Sequence, residues 1–211
     1  MTDSVTYGPD IPGEADLRLL GDLRGKRVLE LGCGSAAASI AFARAGARPI
    51  GVDSSAERLA EARRLAAEAE VKVELRQGDL ADLAFLRADT VDTAFSAWSF
   101  QYVEDLGRVL RQVHRVLKVG APLVFSLPHP AYCLAEGRSY FDRGPHDEAG
   151  GRPVFQHTLS DLYMGLTRTS FRVDVLLEPE PLPGAQRSGS WTEHMDRAPR
   201  TLIVRARKEG H

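Results

Sequence analysis

Carboxylates and glycines in the first half of this chain of 211 residues are spaced as a nucleoside pocket would need them. The run Glu30-Leu31-Gly32-Cys33-Gly34-Ser35-Ala36 offers two glycines, which let backbone pass close to a ligand, with a carboxylate just before them. Asp53 follows 21 positions after Gly32, where a carboxylate can accept both hydroxyls of a ribose. Gly78-Asp79-Leu80 joins a carboxylate, able to accept an exocyclic amine, to an apolar flank suited to a base. Ser96-Ala97-Trp98 completes the set. Taken singly, each has an ordinary reading: a tight turn, a helix cap, a strand-closing aspartate. Their joint order does not.

The elements expected around these residues explain why they should converge. Arg27–Leu31 reads as a buried strand, followed by a glycine turn and an Ala-rich helix over Ala36–Ala45. Arg48–Val52 is a second strand ending at Asp53, and Ser54 with Glu57 has the spacing of a capping box opening a helix to about Ala69. Val71–Arg76 and Val91–Ala97 read as third and fourth strands. Leu106, Leu110, Val113 and Leu117 share a helical face closed by Gly120, and Leu123–Leu127 is a fifth strand stopped by Pro128 and Pro130. Such alternation implies βαβ units, a parallel sheet and a ligand crevice beyond the carboxyl ends of its strands. Residues Ala131–Pro153 carry turn formers without periodicity and read as a long loop or lid. Thr158–Leu166 suits a short helix, and Phe171–Leu177 and Thr201–Ala206 an antiparallel pair completing the sheet.

Two cofactor chemistries fit the glycines. Gly32-x-Gly34-x-x-Ala37 satisfies the permissive dinucleotide pattern, which makes an NAD-dependent oxidoreductase the rival reading. Against it, Glu30 stands where a dinucleotide-binding strand is normally apolar, and a carboxylate there repels a pyrophosphate while suiting a cation. No Tyr-x-x-x-Lys hydride-transfer pair is present.

Taken together, VLELGCG, GVDSS, QGDL, VDTAFSAWSFQYVEDL and HRVLKVGAPLVFSLP resemble the successive motifs of class I S-adenosylmethionine (SAM)-dependent methyltransferases, over roughly Gly25–Leu127. The resemblance implies a Rossmann-like α/β fold: a seven-stranded, mostly parallel sheet with an antiparallel last strand and helices on both faces. It places Glu30, Gly32, Cys33 and Gly34 around the methionine part of SAM, Asp53 with Ser54 at the ribose, Asp79 with Leu80 at the adenine, and Ala97 or a close neighbour beside the methionine end. Ala36 stands where relatives often have a third glycine, which predicts a tighter turn rather than lost binding. Gln101 stands where relatives often carry His. Tyr7-Gly8-Pro9-Asp10 is similar to an N-terminal lid segment of some small-molecule members.

Methyl transfer is an in-line displacement, with a general base needed only where the nucleophile must lose a proton. His129, just past the fifth strand, is the first candidate base, ahead of His157 and His194, with Tyr132 and Tyr140 as orienting or relay groups. His114 reads as structural, Cys33 as a small packing residue, and Trp98, Phe100 and Tyr102 as possible walls for a sulfonium.

Composition narrows the rest. Net charge is −2, from 27 basic and 29 acidic residues, so no field exists for gripping long nucleic acid, and SAWSF lacks the Asp/Asn-Pro-Pro-Tyr signature of base-amine methylation. With no run of 18 apolar residues and no signal pattern, the expectation is a cytoplasmic protein without a membrane partner. Two cysteines make neither a disulfide framework nor a metal site. The expected organisation is a single domain over 1–211: an N-terminal lid or helix (1–25), a SAM-binding core (26–127), a lid or substrate loop (128–158) and a C-terminal strand pair (159–208). The expected acceptor is a small molecule methylated on O or N. A peptide target, a carbon nucleophile and a non-catalytic SAM-binding role stay open, as does the oligomeric state, a homodimer being one option.

Overall fold

Strand-forming runs that are apolar on both faces fold into the middle of a sheet covered on both sides. The computed structural model describes residues 5–147, 151–184, 187–189 and 191–210. Residues 1–4 of the expected N-terminal lid and 148–150 of the expected substrate loop lie outside the described residues. The main sheet is built from β1 (Arg27–Leu31), β2 (Arg48–Asp53), β3 (Glu74–Gln77), β4 (Thr93–Ala97), β5 (Pro122–Pro128), β8 (Phe171–Leu177) and β9 (Thr201–Lys208). A two-stranded ribbon, β6 (His146–Asp147) with β7 (Pro153–Val154), stands apart from it.

The order is β3-β2-β1-β4-β5-β9-β8. The first five strands pair in parallel, while β9 runs antiparallel to both β5 and β8, so β9 alone opposes the other six. The chain moves outward from β1 to β3 and then returns to the other side of β1 with β4. That reversal of strand order makes the ends of β1 and β4 the crevice of an open α/β sheet.

Alternation along β1 sends Leu29 and Leu31 into one core and Val28 into the other. The first core packs the sheet against α4 (Leu106–Val116) and α6 (Leu159–Arg168), through Leu106, Val109, Leu110, Val113, Leu162 and Leu166. On the second face, Phe42 of α2 (Ala37–Arg44) meets Phe95 edge-on at 5.4 Å, and Val5, Tyr7, Ile11, Leu19, Leu20 and Leu23 of the N-terminal segment complete the layer. That segment is pinned by Glu14 in α1 (Glu14–Leu17), whose carboxylate accepts the Tyr7 hydroxyl at 2.6 Å and the Leu19 and Leu20 amides at 2.9 and 2.8 Å. Burial and this carboxylate hold the Tyr7 phenol well above its ordinary pKa.

Several boundaries differ from expectation. The cap of α3 (Ala56–Glu68) is Ser55, whose hydroxyl accepts the Arg58 amide at 3.2 Å; Ser54 is left exposed beside the crevice, and the Ser54/Glu57 box does not form. Pairing of β3 starts at Glu74, opposite Ile50, two residues after β2 itself begins. Val91 makes only an isolated bridge to Leu117. Gly120 lies beyond the helix end, in the turn into β5, where its amide meets the Lys208 carbonyl at 2.8 Å. Residues Ala131–Pro153 are not featureless, since they hold α5 (Tyr132–Ala135) and the β6–β7 ribbon. Thr158 and Asp161 form a full capping box on α6.

Candidate functional site

The loop after β1 is shaped by what approaches it. The Gly32 and Cys33 amides both donate to the Val52 carbonyl, at 2.8 and 3.0 Å. Gly32 has φ +72°, and a Cβ there would sit 2.2 Å from the Ser99 hydroxyl oxygen, so both backbone and space require glycine. Ala36, in the position of the third glycine, adopts the left-handed region at φ 60° as N-cap of α2 and has no side-chain oxygen to cap with. Glu30 supplies the missing cap. From the strand beneath, its carboxylate accepts the Ser39 amide at 2.8 Å and the Ser39 hydroxyl at 2.5 Å, at the third position of the helix. Burial pushes its pKa up to about 7, with the Ser39 hydrogen bonds opposing and Asp53 adding repulsion.

Asp53, 3% exposed at the tip of β2, accepts the Gly34 amide at 2.8 Å on one oxygen and the Ser55 amide at 2.9 Å on the other. A carboxylate has about four lone-pair sites. Two oxygens each holding one amide therefore retain capacity for two hydroxyl donors. The Gly78 amide donates to the Asp53 carbonyl at 3.1 Å, which ties the third strand end to the second. Asp79 forms a tight turn, one oxygen accepting the Ala81 amide at 2.7 Å.

Gly32, Asp53, Ser54, Asp79 and Leu80 border one cavity of about 210 Å³ over these strand ends. Glu30, Cys33, Gly34 and Ala97 do not line it. Glu30 lies below the loop, Gly34 reaches it through Asp53, and Ala97 packs against the second core while its carbonyl accepts the Ser99 hydroxyl at 3.2 Å. Cys33 is buried against Ala36, Leu59 and Ala62, and fits because Gly51 across the sheet has no Cβ. Burial first, then the charges of Glu30 and Asp53, raise its thiol pKa and keep it protonated.

Sequence reasoning missed Arg58, Ser99, Val103 and Arg152 on the same walls. Arg58 was legible only as a residue in the first turn of a helix that begins at the crevice. Arg152 comes from the segment before β7 and lies 4.3 Å over the Tyr102 ring. Of the candidate aromatic walls, Trp98 and Tyr102 line the cavity, whereas Phe100 is core, packed on Phe125 at 5.1 Å.

A second cavity of about 110 Å³ shares Trp98 with the first. His129, Tyr132 and His157 lie on it. His129 is 4% exposed with both ring nitrogens engaged: Nδ1 accepts the Ala131 amide at 3.1 Å and Nε2 faces Glu178 Oε1 at 2.8 Å. His157 Nε2 donates to the Val103 carbonyl at 2.8 Å, and burial lowers its pKa, so it is neutral. Tyr140 stands apart, its hydroxyl accepting the Leu159 amide at 3.1 Å. His194 is exposed in a 3-10 turn, and His114 stacks edge-on against Phe171 at 5.3 Å as a structural residue.

An acidic, glycine-lined crevice of this form suits an adenosine bearing a positive charge better than one bearing a pyrophosphate. Residues 28–120 match the methyltransferase domain family. Over nearly its whole length the chain also superposes on an S-adenosylmethionine-dependent methyltransferase from Mesorhizobium loti, with TM-score 0.79 and 31% identity, covering 92% of this chain and 96% of that one. The chain belongs to the class I SAM-dependent methyltransferases. Its cofactor is S-adenosylmethionine, and the nicotinamide and non-catalytic readings are set aside. This methyltransferase is also similar to ubiquinone biosynthesis O-methyltransferases. That of Hahella chejuensis is 36% identical over 104 residues, 49% of this chain and 44% of that protein. That of Pseudomonas syringae pv. tomato is 35% identical over 134 residues, 60% of this chain and 58% of that protein. The chain thus spans about half the length of these curated relatives.

Proposed function

We propose that this methyltransferase transfers a methyl group to oxygen or nitrogen of a small-molecule acceptor held in the second cavity. The observation that carries the reading is the shared wall. Trp98 borders both cavities and is held in a left-handed backbone conformation at φ 49°, uncommon for a bulky side chain. SAM when bound supplies an electrophilic methyl on a sulfonium. The chain's own residues hold and orient: Asp53 takes the ribose hydroxyls with its two open lone-pair sites, Asp79 and Leu80 take the adenine, and the Gly32–Gly34 loop takes the amino-acid part. Glu30 holds a carboxyl beneath that loop, and the cation of bound SAM would favour its ionised form.

The protein's main lever on rate is alignment of nucleophile and methyl, worth up to about 7–11 kcal/mol in well-oriented systems. Trp98 adds about 0.5–2 kcal/mol if its face meets the sulfonium. His129, committed through both nitrogens, holds the cavity wall rather than taking a proton. The described parts of the N-terminal segment and of the 128–158 loop serve as cover, Gly8 packing on Trp98 and Arg152 lying over Tyr102. The ubiquinone-pathway relatives, named as O-methyltransferases, support a small organic acceptor. Among the described residues no helix is long and apolar enough to cross a membrane.

Calorimetry tests the reading. SAM and its demethylated product, S-adenosylhomocysteine, should both bind, and Asp53→Ala should weaken each by roughly 100-fold, the loss of two hydrogen bonds to a charged group. Undiminished affinity in a folded Asp53→Ala variant would remove the ribose assignment.

A further inference from the structure

The second cavity carries several groups that could act as bases, and the buried and half-buried ones among them are already engaged. His129 and His157 are bonded as described above. The Tyr132 hydroxyl shares a 2.7 Å hydrogen bond with Thr192, the Cys133 thiol donates to the Pro130 carbonyl at 3.1 Å, and Glu136 pairs with Arg138 at 2.5 Å. A nucleophile that must shed a proton as it attacks finds no ready base among these buried and half-buried residues, and Glu136 stands at the exposed rim with one oxygen on Arg138. This arrangement disfavours alcohols and phenols. Two classes need none: a neutral amine and an ionised carboxylate.

Charge separates the two. Arg200 lines this cavity with its guanidinium 5.1 Å from the Trp98 ring and 5.9 Å from the Tyr132 ring; one of its five N–H donors goes to Met195 Sδ at 3.8 Å, and its charge also acts on Asp10. A guanidinium held against two aromatic rings is pre-organised, and its planar fork matches a carboxylate while repelling an ammonium. The ring it stacks on is the wall shared with the cofactor crevice, so an anion drawn to Arg200 lies beside the electrophile. Buried Gln101 adds a second requirement. Its Nε2 donates to the Trp98 carbonyl at 2.8 Å, which fixes the amide orientation, and its Oε1 has no hydrogen-bond partner. An orphaned acceptor at a cavity wall calls for an O–H or N–H.

On the reading that this cavity takes the acceptor, we propose that the acceptor is a small carboxylic acid bearing a nearby hydroxyl or N–H. In this assignment Arg200 recognises and positions its carboxylate, which is itself methylated. One carboxylate oxygen forms the new O–C bond as the S–C bond breaks and its electron pair passes to sulfur. The products are a methyl ester and a neutral thioether, and no proton moves. Esterification removes the charge that Arg200 holds, so the product leaves more readily than the substrate binds.

The test uses the full-length chain with methyl-labelled SAM. Acceptors are the small-molecule fraction of a cell extract and a panel of short carboxylic and hydroxycarboxylic acids, with amines and alcohols of the same skeletons. Methyl esters release labelled methanol in mild alkali, whereas N-methyl and ether products do not. The proposal expects alkali-labile label and a rate that is flat with pH once the acceptor acid is ionised. Arg200→Met should lower kcat/KM roughly 10- to 100-fold, the range for a charged hydrogen bond, with partial recovery in Arg200→Lys and unchanged SAM affinity. Alkali-stable label, or an Arg200→Met variant as active as the parent, overturns the carboxylate assignment and leaves the methyltransferase reading standing. SAM bound with no label passed to any small molecule overturns the proposed function as well.

Discussion

Glu30 is a carboxylate in the middle of a central strand, and its position has two consequences. It caps a helix whose own N-cap is alanine, and it places a titratable carboxyl under the glycine loop. Because burial raises its pKa from 4.5 to about 7, the folded chain holds its proton more tightly than the unfolded chain does. The sign follows: stability is highest below about pH 4.5, falls as pH rises towards 7, and is level above, a span of roughly 3 kcal/mol. Glu30→Gln keeps an acceptor for Ser39 and cannot ionise. Its urea midpoint should therefore gain on the parent at pH 8 and match it near pH 4.5; equal pH dependence in both proteins would refute the burial argument. At this scale Asp53 and Asp79 were legible only jointly, because each alone reads as a turn or cap and it is their order after the Gly32–Gly34 loop that sets them apart. Arg58 and Arg152 were not, since a charged residue in a first helical turn or a loop is ordinary until tertiary structure brings it to a wall.

Among the elements, the β1–α2 loop is the most constrained. Gly32→Ala puts a methyl into Ser99 and strains the backbone, and should cost at least tenfold in SAM affinity, by analogy with small-to-large substitutions costing about 1–3 kcal/mol. Adding Ser99→Gly, which clears the side-chain overlap but not the strain, should restore part of the loss in a binding titration; no restoration would place the cost wholly in the backbone. At the far edge, the register between β8 and β9 shifts at Val173/Val175, and Asp174 there accepts from Arg205 at 2.9 Å and Arg207 at 2.6 Å. Burial raises its pKa, but the two arginines outweigh it and hold the carboxyl below its usual range, so this contribution is lost as pH falls through that lowered value. Asp174→Ala should destabilise the protein by about 2 kcal/mol in urea unfolding at pH 7, leaving SAM binding unchanged. Five parallel strands and the closing antiparallel pair were readable from apolar runs bounded by glycine and proline. The ends of β3 were not, because pairing begins only at Glu74 opposite Ile50, although β2 itself starts at Arg48. Nor were the bulge at Asp174 and the β6–β7 ribbon, which short-range pattern does not encode.

For the whole molecule, function follows from strand order. The turn back from β3 to β4 across β1 opens one crevice, and the Asp53 and Asp79 tips, the glycine loop and Trp98 all border it. That convergence was legible because the motifs occur in the order of successive strand ends. Missing from the sequence was the second layer over the sheet, in which Val5, Tyr7 and Ile11 are core, so that the N-terminal segment is built into the fold as well as reaching Trp98 through Gly8. The most direct measurement is a crystal structure of the full chain with S-adenosylhomocysteine. Both ribose hydroxyls should lie on Asp53, the adenine between Asp79 and Leu80, and the sulfur against the Trp98 wall. A nucleoside bound away from Asp53, or with its sulfur turned from Trp98, would contradict this assignment of the crevice.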